Sequence, residues 1–562
     1  MCRGRVTREA FLTFTQLCTA ALFCVVLFVA AGSSDAAVFP RSKAPAKTLL
    51  HVNLLGASSD IRFAVTVLQG LVNREKPRIY ITQDPAWHGP SLIPQLTDNL
   101  KAKGYAFEEI TDPMLLFSRF AKNVKGAVIC EPISEDNTAA PHKLNAITLY
   151  CALHDAVPVT EDLNATLKLP VLYDARGKLN TAREAYEWAY KELWPRANHN
   201  ALALTCPTHF VLRDYLVSHK IMPIWISQDM GEEEANICWR FLAEVKPNSP
   251  VMGCWGGYGE KPTGRITESE IQQRVSSEGK FVIVTDGCVN LTVHSGLKYT
   301  RPREPKRRPV PALDPTKVYV CMNFTDGDNL QYLQLPFRGA QWWGNPDRGK
   351  VPISWSMNPA TAYLMPDVLE YFQRTSTPMD ELVCSGSGLG LVALAPYAER
   401  CRDRKGVVAG YLRLSDEAMR LAGFKNAHIG ETSGLAPSRE DFDKWAIGMP
   451  HLQGILGDYG YVPGIDETNC EFFVSRGVAV LRWLVAAGSH APDEKSAQEL
   501  ADAIRAKTPK RRPAFMHVMM VNWFMSPTVA ADTMKLLGPE YVPVLPSELF
   551  ALMREKARGQ AP

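Results

Sequence analysis

The chain has 562 residues, 46% of them hydrophobic and 22% charged, with a formal net charge of +3. Those proportions suit a globular protein with sizeable cores, and the length predicts several domains. Acidic and basic residues are interspersed without a sustained basic face, so no nucleic acid partner is expected.

The first element is a leader. Arg3, Arg5 and Arg8 precede an uncharged apolar run over 17–31, and small residues follow in "GSSDAAVFP". Positive, apolar, then small is the layout of a secretory signal peptide, here residues 1–37, and the run is short for a membrane span. An uncleaved anchor is the alternative. The mature protein is expected to be secreted or periplasmic, with no stable membrane span after cleavage, because no later stretch reaches about 18 apolar residues. The 13 cysteines include no CxxC pair, which predicts buried free thiols rather than a disulfide scaffold. The 12 histidines show no HxxH or HExxH spacing, so a histidine zinc site has no support.

Strand and helix patterns then alternate. Residues 48–56 read as a strand, Ile61, Ala64, Val65, Leu68, Leu71 and Val72 recur at helical spacing, and 77–82 return to strand. The same rhythm continues through 126–132, 221–227, 249–255 and 279–287, with a helix over 182–193. This predicts three small α/β subdomains with mainly parallel sheets, over 46–110, 111–196 and 197–298. Residues 299–315 hold five prolines and a cationic cluster and read as a linker.

Residues 316–556 carry eight strand candidates: 317–328, 351–358, 381–387, 426–432, 453–460, 478–483, 515–523 and 541–546. Helical stretches separate most of them, which predicts a C-terminal (β/α) barrel-like domain, with a doubly wound open sheet as the alternative. In a barrel the carboxyl ends of the strands meet at one mouth. Those ends bring Asp326, Asp328 and Asn329, then Ser354, Ser356 and Asn358, then Ser385 and Ser387. Glu431, Asp458, Tyr459, Arg482, Trp483, Asn522, Trp523 and Glu548 follow.

Any one of these residues alone reads as a turn or a helix cap. Together they form a polar ring with aromatic faces, the lining a carbohydrate cleft needs. Asp326, Asp328, Glu431 and Asp458 are the candidate catalytic carboxylates. Asn329, Asn358, Ser387, Tyr459, Trp483, Asn522 and Trp523 are the candidate substrate-binding residues. Asp326 and Asp328 are two apart, so on an extended backbone they point to one side. Paired carboxylates raise one pKa and prepare an acid and a base, or they hold a divalent cation. No other cofactor is expected.

Three stretches carry a resemblance to a known family: "TVLQGLVNREKPRIYIT" (66–82), "GKFVIVTDGCVNLTVHSGL" (279–297) and "NFTDGDNLQY" (323–332). On these the chain resembles the GxGYxYP family, which is classed with glycoside hydrolases, over about 48–555. The resemblance implies an exported protein with three N-terminal subdomains and a C-terminal barrel-like domain. One stretch departs from the family: at 386–392 the chain reads "GSGLGLV", with Leu389 and Leu391 in place of tyrosines and Val392 in place of proline. A glycoside hydrolase with a carboxylate pair is the leading reading. A metal-dependent, polysaccharide deacetylase-like hydrolase and a non-catalytic carbohydrate-binding protein are the alternatives.

Overall fold

The computed structural model describes residues 38–83, 93–134, 141–226, 232–253, 268–429, 438–457, 472–487 and 496–559. The expected signal segment, 1–37, lies outside them. Residues 48–110 form a three-stranded parallel sheet of β1 (Thr48–Asn53), β2 (Ile79–Thr82) and β3 (Ala106–Ile110) in the order β2-β1-β3. The helix Ser59–Glu75 joins β1 to β2; the Ser58 side chain caps it by accepting from the Ile61 amide. Of the residues expected at helical spacing, Ala64, Val65, Leu68, Leu71 and Val72 are buried and Ile61 is half-buried, and Phe63 and Val67 are buried as well. A β-carbon at Gly70 would fall 2.6 Å from Val217 Cβ, so this glycine sets how closely the helix Arg213–His219 crosses.

A second parallel sheet joins β4 (Gly126–Ile129), β5 (Ala156–Val159) and β6 (Val171–Asp174) in the order β5-β4-β6. A third joins β7 (Leu202–Leu204), β8 (Pro223–Ile224), β9 (Pro250–Gly253) and β10 (Phe281–Ile283) in the order β10-β9-β7-β8. Buried amides bind the third region to the first: Gln69 Nε2 donates to Asn290 Oδ1 at 2.7 Å, and Asn73 Nδ2 to Thr292 Oγ1 at 2.9 Å.

The C-terminal region builds one nine-stranded sheet. Its strands are β11 (Val318–Phe324), β12 (Ile353–Met357), β13 (Asp380–Cys384), β14 (Asn426–Ile429) and β15 (Gly454–Gly457). They continue with β16 (Phe472–Ser475), β17 (Val478–Ala487), β18 (Ala514–Met520) and β19 (Tyr541–Pro543). The order is β12-β13-β14-β15-β17-β18-β11-β19, parallel throughout, with β16 antiparallel on β17. A further two-residue pairing links β11 to β12, Asn323 with Ser354 and Phe324 with Trp355. β19 pairs only with Val318–Val320 at the start of β11, and neither it nor the β16–β17 hairpin has a place in a regular (β/α) barrel. The architecture is thus mixed α/β, with small N-terminal sheets and a C-terminal sheet domain.

Residues 301–314 are irregular, as their prolines require, yet they are tied down. Arg308 makes a two-armed ion pair with Glu548 at 2.8 and 2.9 Å, and Arg307 Nη1 donates to the Asp380 carbonyl at 3.0 Å. Glu548 therefore serves the strap and caps its own helix through the Leu545 amide. Among the described residues no helix is long and apolar enough to cross a membrane. The eight described cysteines are all free thiols, six of them buried.

Candidate functional site

The loop Thr325–Asn329 leaves the end of β11 and is clamped on both sides. On the β18 side, the Thr325 amide donates to the Met520 carbonyl at 3.0 Å, and Asn522 Nδ2 donates to the Thr325 carbonyl. On the β12 side, the Asn358 amide donates to the Gly327 carbonyl at 2.8 Å. Asp326 adopts φ 58°, the left-handed conformation that Asp tolerates better than most residues, and Thr325 Oγ1 donates to its carboxylate. The Asn329 amide returns to the Asp326 carbonyl at 3.2 Å, closing a turn. The extended alternation assumed for Asp326 and Asp328 is thus replaced by a turn, because the glycine between them packs onto the backbone of β12. Both aspartates and Asn329 are half-buried.

Asp328 faces the family's motif segment: its Cβ is 3.2 Å from where a Cβ on Gly386 would lie. That segment is also conformationally demanding, with Gly386 at φ 77°, Ser387 at 65° and Gly388 at 123°. Tyr411 holds it: its hydroxyl lies 2.7 Å from the Gly390 carbonyl and 3.1 Å from that of Ser387. Leu389 and Leu391 are 1% and 6% exposed, so the residues that depart from the family pattern sit in the interior.

An aromatic shelf flanks the loop. Trp523 and Phe524 are 36% and 41% exposed. The Trp523 ring lies 4.8 Å from that of Tyr332, which in turn meets Trp342 edge-on at 5.2 Å. Trp342 Nε1 donates to the Asn522 carbonyl, locking the shelf to the loop clamp. Burial first, and then the charge of Asp326, push the Tyr332 phenol well above its ordinary range. Tyr332 and Trp342 escape a reading of strand ends because they lie in the segment between β11 and β12.

Several buried polar atoms around this loop have no hydrogen-bond partner: Asn329 Oδ1, Gln331 Oε1, Tyr332 OH, Asn358 Nδ2 and Asn522 Oδ1. Such atoms are few in folded proteins, and a cluster of them marks where water or a ligand hydroxyl belongs.

The third N-terminal sheet contributes a carboxylate that the strand-end reading missed. Val284, just past β10, bridges in parallel to Asn329, and its carbonyl accepts from the Leu330 amide at 2.9 Å. Two residues on, Asp286 is 5% exposed and accepts from Gln331 Nε2 at 2.8 Å. Burial, opposed in part by that hydrogen bond, pushes its carboxyl up to about 6. The available signal was the second Thr-Asp-Gly triplet, Thr285–Gly287, matching Thr325–Gly327.

Glu431, Asp458 and Tyr459 lie outside the described residues. Trp483 is in register with His517 on β18, and its side chain is outside the description. Arg482 stands over the Phe442 ring at 6.0 Å. Ser354 and Ser356 are buried and bond to Asn323, at 2.8 and 3.1 Å, so they serve the sheet interior rather than an open surface. Ser385 is buried, its amide bonded to the Met357 carbonyl at 3.0 Å. Among the described residues no cluster of three or more His, Cys, Asp or Glu is arranged to hold a metal.

The loop of aspartates thus lies beside an aromatic shelf on a mixed α/β scaffold. The chain belongs to the GxGYxYP family. Its domain models match in order: the "GxGYxYP_N 1st domain" at 48–122, the second at 124–197, the third at 199–296, and the "GxGYxYP putative glycoside hydrolase C-terminal domain" at 316–554. The fold is similar to that of a Bacteroides thetaiotaomicron protein described as a "putative hydrolase", with TM-score 0.76 and 16% identity over 94% of this chain and 98% of that one. The peptidoglycan deacetylase PdaC from Bacillus subtilis aligns over 44% of this chain and 97% of its own at 12% identity, but with TM-score 0.24 the likeness carries no argument. No curated protein matches the chain.

Proposed function

We propose that the protein is an exported glycoside hydrolase acting on a poly- or oligosaccharide, with Asp326 and Asp328 in its carboxylate machinery. The observation that carries this reading is the placement of the Asp326 loop beside the exposed Trp523 ring, which rests on the buried Tyr332 and, through it, on the half-buried Trp342. Aromatic faces bind the apolar face of a pyranose, and carboxylates and amides bind its hydroxyls and act on its glycosidic bond. The unpartnered atoms Asn329 Oδ1, Asn358 Nδ2 and Asn522 Oδ1 supply hydrogen-bonding capacity for the sugar. In this reading the C-terminal strands form a barrel-like cup, a view supported by the β11–β12 pairing, and Glu431, Asp458, Tyr459, Ser387 and Trp483 take part in handling the substrate. Residues 1–37 act as the export signal.

The test is release of reducing ends from a panel of purified glycans by wild type, Asp326→Asn and Asp328→Asn. At least one variant should lose roughly 10²-fold or more in rate, the usual contribution of a positioned acid or base. Wild-type rates in both would sink the assignment. If chelator abolishes activity and a divalent cation restores it, the two aspartates act as cation ligands in a deacetylase-like hydrolase instead. Glycan binding with no cleavage would favour the non-catalytic reading.

A further inference from the structure

Resting on that reading, we infer that the proton donor of the site comes from the third N-terminal domain and is Asp286. The argument begins with geometry. β10 runs into the C-terminal domain between its two distinctive loops. On one side Val282 pairs antiparallel with Leu391, its amide donating to the Leu391 carbonyl at 3.0 Å and its carbonyl accepting from the Leu391 amide at 2.8 Å. On the other side Val284 pairs with Asn329, at the end of the aspartate loop. The next turn, Thr285–Gly287, is held at both ends. Thr285 Oγ1 accepts from the Gly253 amide at 2.8 Å, and a β-carbon on Gly287 would lie 3.2 Å from the Gln331 side chain. Asp286 is thereby fixed against the helix that starts immediately after the loop carrying Asp326 and Asp328.

The surroundings of Asp286 differ from those of two buried structural carboxylates, and from those of Asp214, whose carboxylate accepts from both the amide and the hydroxyl of Thr292 at 2.9 and 2.6 Å. Glu548 and Asp380 are equally buried, and each is paired with an arginine, Arg308 and Arg348. Among the described residues Asp286 has no ion pair, and its side-chain partner is the neutral amide of Gln331. Among the described residues the titratable groups on the elements around it are Cys288, a buried thiol two residues along, Tyr332 on the helix that carries Gln331, and Asp326 and Asp328 on the loop before Asn329. A buried carboxyl held by a neutral amide favours its protonated form, which a general acid requires. The carboxyl pushed up to about 6 agrees with this.

The step balances in either stereochemical course. As the bond from the anomeric carbon to the bridging oxygen breaks, its electron pair goes to that oxygen, which takes the Asp286 proton. In an inverting course one of Asp326 and Asp328 removes the proton of the attacking water. In a retaining course one of them bonds to the anomeric carbon. Asp286, now a carboxylate, then takes the proton of the water that hydrolyses the intermediate.

The experiment uses the full chain, with Asp286→Asn and Gln331→Ala, on the unactivated glycan that wild type cleaves best and on the matching 2,4-dinitrophenyl glycoside. Asp286→Asn keeps the size of the side chain and an acceptor for Gln331. It should lose roughly 10²-fold or more on the glycan but far less at the glycosylation step with dinitrophenolate, which leaves without a proton. The wild-type kcat/KM should fall as pH rises through about 6, and Asp286→Asn should lose that limb. Gln331→Ala should shift the limb without removing it. Equal losses on both substrates with an unchanged pH profile would overturn the assignment. If the wild type cleaves no glycan, the glycosidase reading fails and this inference with it. If the wild type cleaves and Asp286→Asn is unimpaired, the inference alone fails.

Discussion

A β-carbon on Gly327 would fall 1.5 Å from the carbonyl oxygen of Ser356, on the neighbouring strand. The contact is with backbone, so no side-chain rotation relieves it. The glycine of the Asp-Gly-Asp triplet is therefore there for close approach rather than for an unusual φ, and the approach sets the distance between the aspartate loop and β12. Gly327→Ala should cost about 1–3 kcal/mol, the usual effect of forcing extra volume into a packed site. It should also reduce turnover by more than its stability loss explains at a temperature where the fold is intact. A thermal melt together with a rate measurement checks this, and wild-type values in both would show that the loop can move away without consequence.

Trp523 offers its ring on the surface while resting on Tyr332 at 4.8 Å. Because its neighbours are themselves packed, removing it should leave the melting temperature close to that of wild type. Glycan affinity should fall by at least about 1 kcal/mol, roughly fivefold, as expected when a central aromatic contact is truncated. Calorimetric titration of Trp523→Ala and Trp523→Phe with an oligosaccharide is the check, with Phe retaining part of the affinity. Unchanged affinity in Trp523→Ala would remove the shelf from the site.

The parts legible from sequence were those encoded locally. Asp326 and Asp328 stand out because charge follows an apolar strand, and the alternation of strand and helix predicts parallel sheets without any knowledge of their order. Pairing between distant segments is not encoded that way. Nothing in the spacing of residues 279–287 says that Val284 pairs with Asn329, so the approach of Asp286 to the aspartate loop was invisible. Ser354 and Ser356 show the converse error: polar residues near a strand end read as rim, whereas Asn323 satisfies them inside the sheet. Glu548 failed for a third reason, since its partner Arg308 sits in a segment read as an unattached linker.

His428 on β14 and His517 on β18 face each other with ring centroids 5.9 Å apart, both buried. Burial holds the His428 imidazole down to about 4, while burial and the neighbouring His428 hold His517 well below its ordinary value. Both folded-state values lie below the unfolded value of about 6.5, so in this window the unfolded chain binds more protons. Stability should fall as the pH drops from about 6.5 toward about 4, by up to roughly 1.4 kcal/mol per pH unit for each histidine. Urea midpoints at pH 7 and pH 5 should therefore differ more in wild type than in His517→Leu. Parallel pH dependence in the two proteins would assign the acid sensitivity to other groups.

The leucines that stand at the family's tyrosine positions belong to the interior. Leu391 packs into the core of the third N-terminal region with Val282, Val284 and Ile271, and its backbone pairs with Val282 on both sides. Leu389 is buried as well, its amide bonded to Ser415 Oγ at 3.0 Å. Restoring tyrosines at both positions places two larger side chains and two phenol hydroxyls where leucines now fill the interior. The double variant Leu389→Tyr/Leu391→Tyr should lose about 1–3 kcal/mol from overpacking, with more if the hydroxyls find no partner. Its glycan preference should match wild type, because both side chains are buried. Melting curves and a shared glycan panel measure both effects. A changed substrate profile at unchanged stability would instead place these positions within the site, with the leucines as specificity determinants.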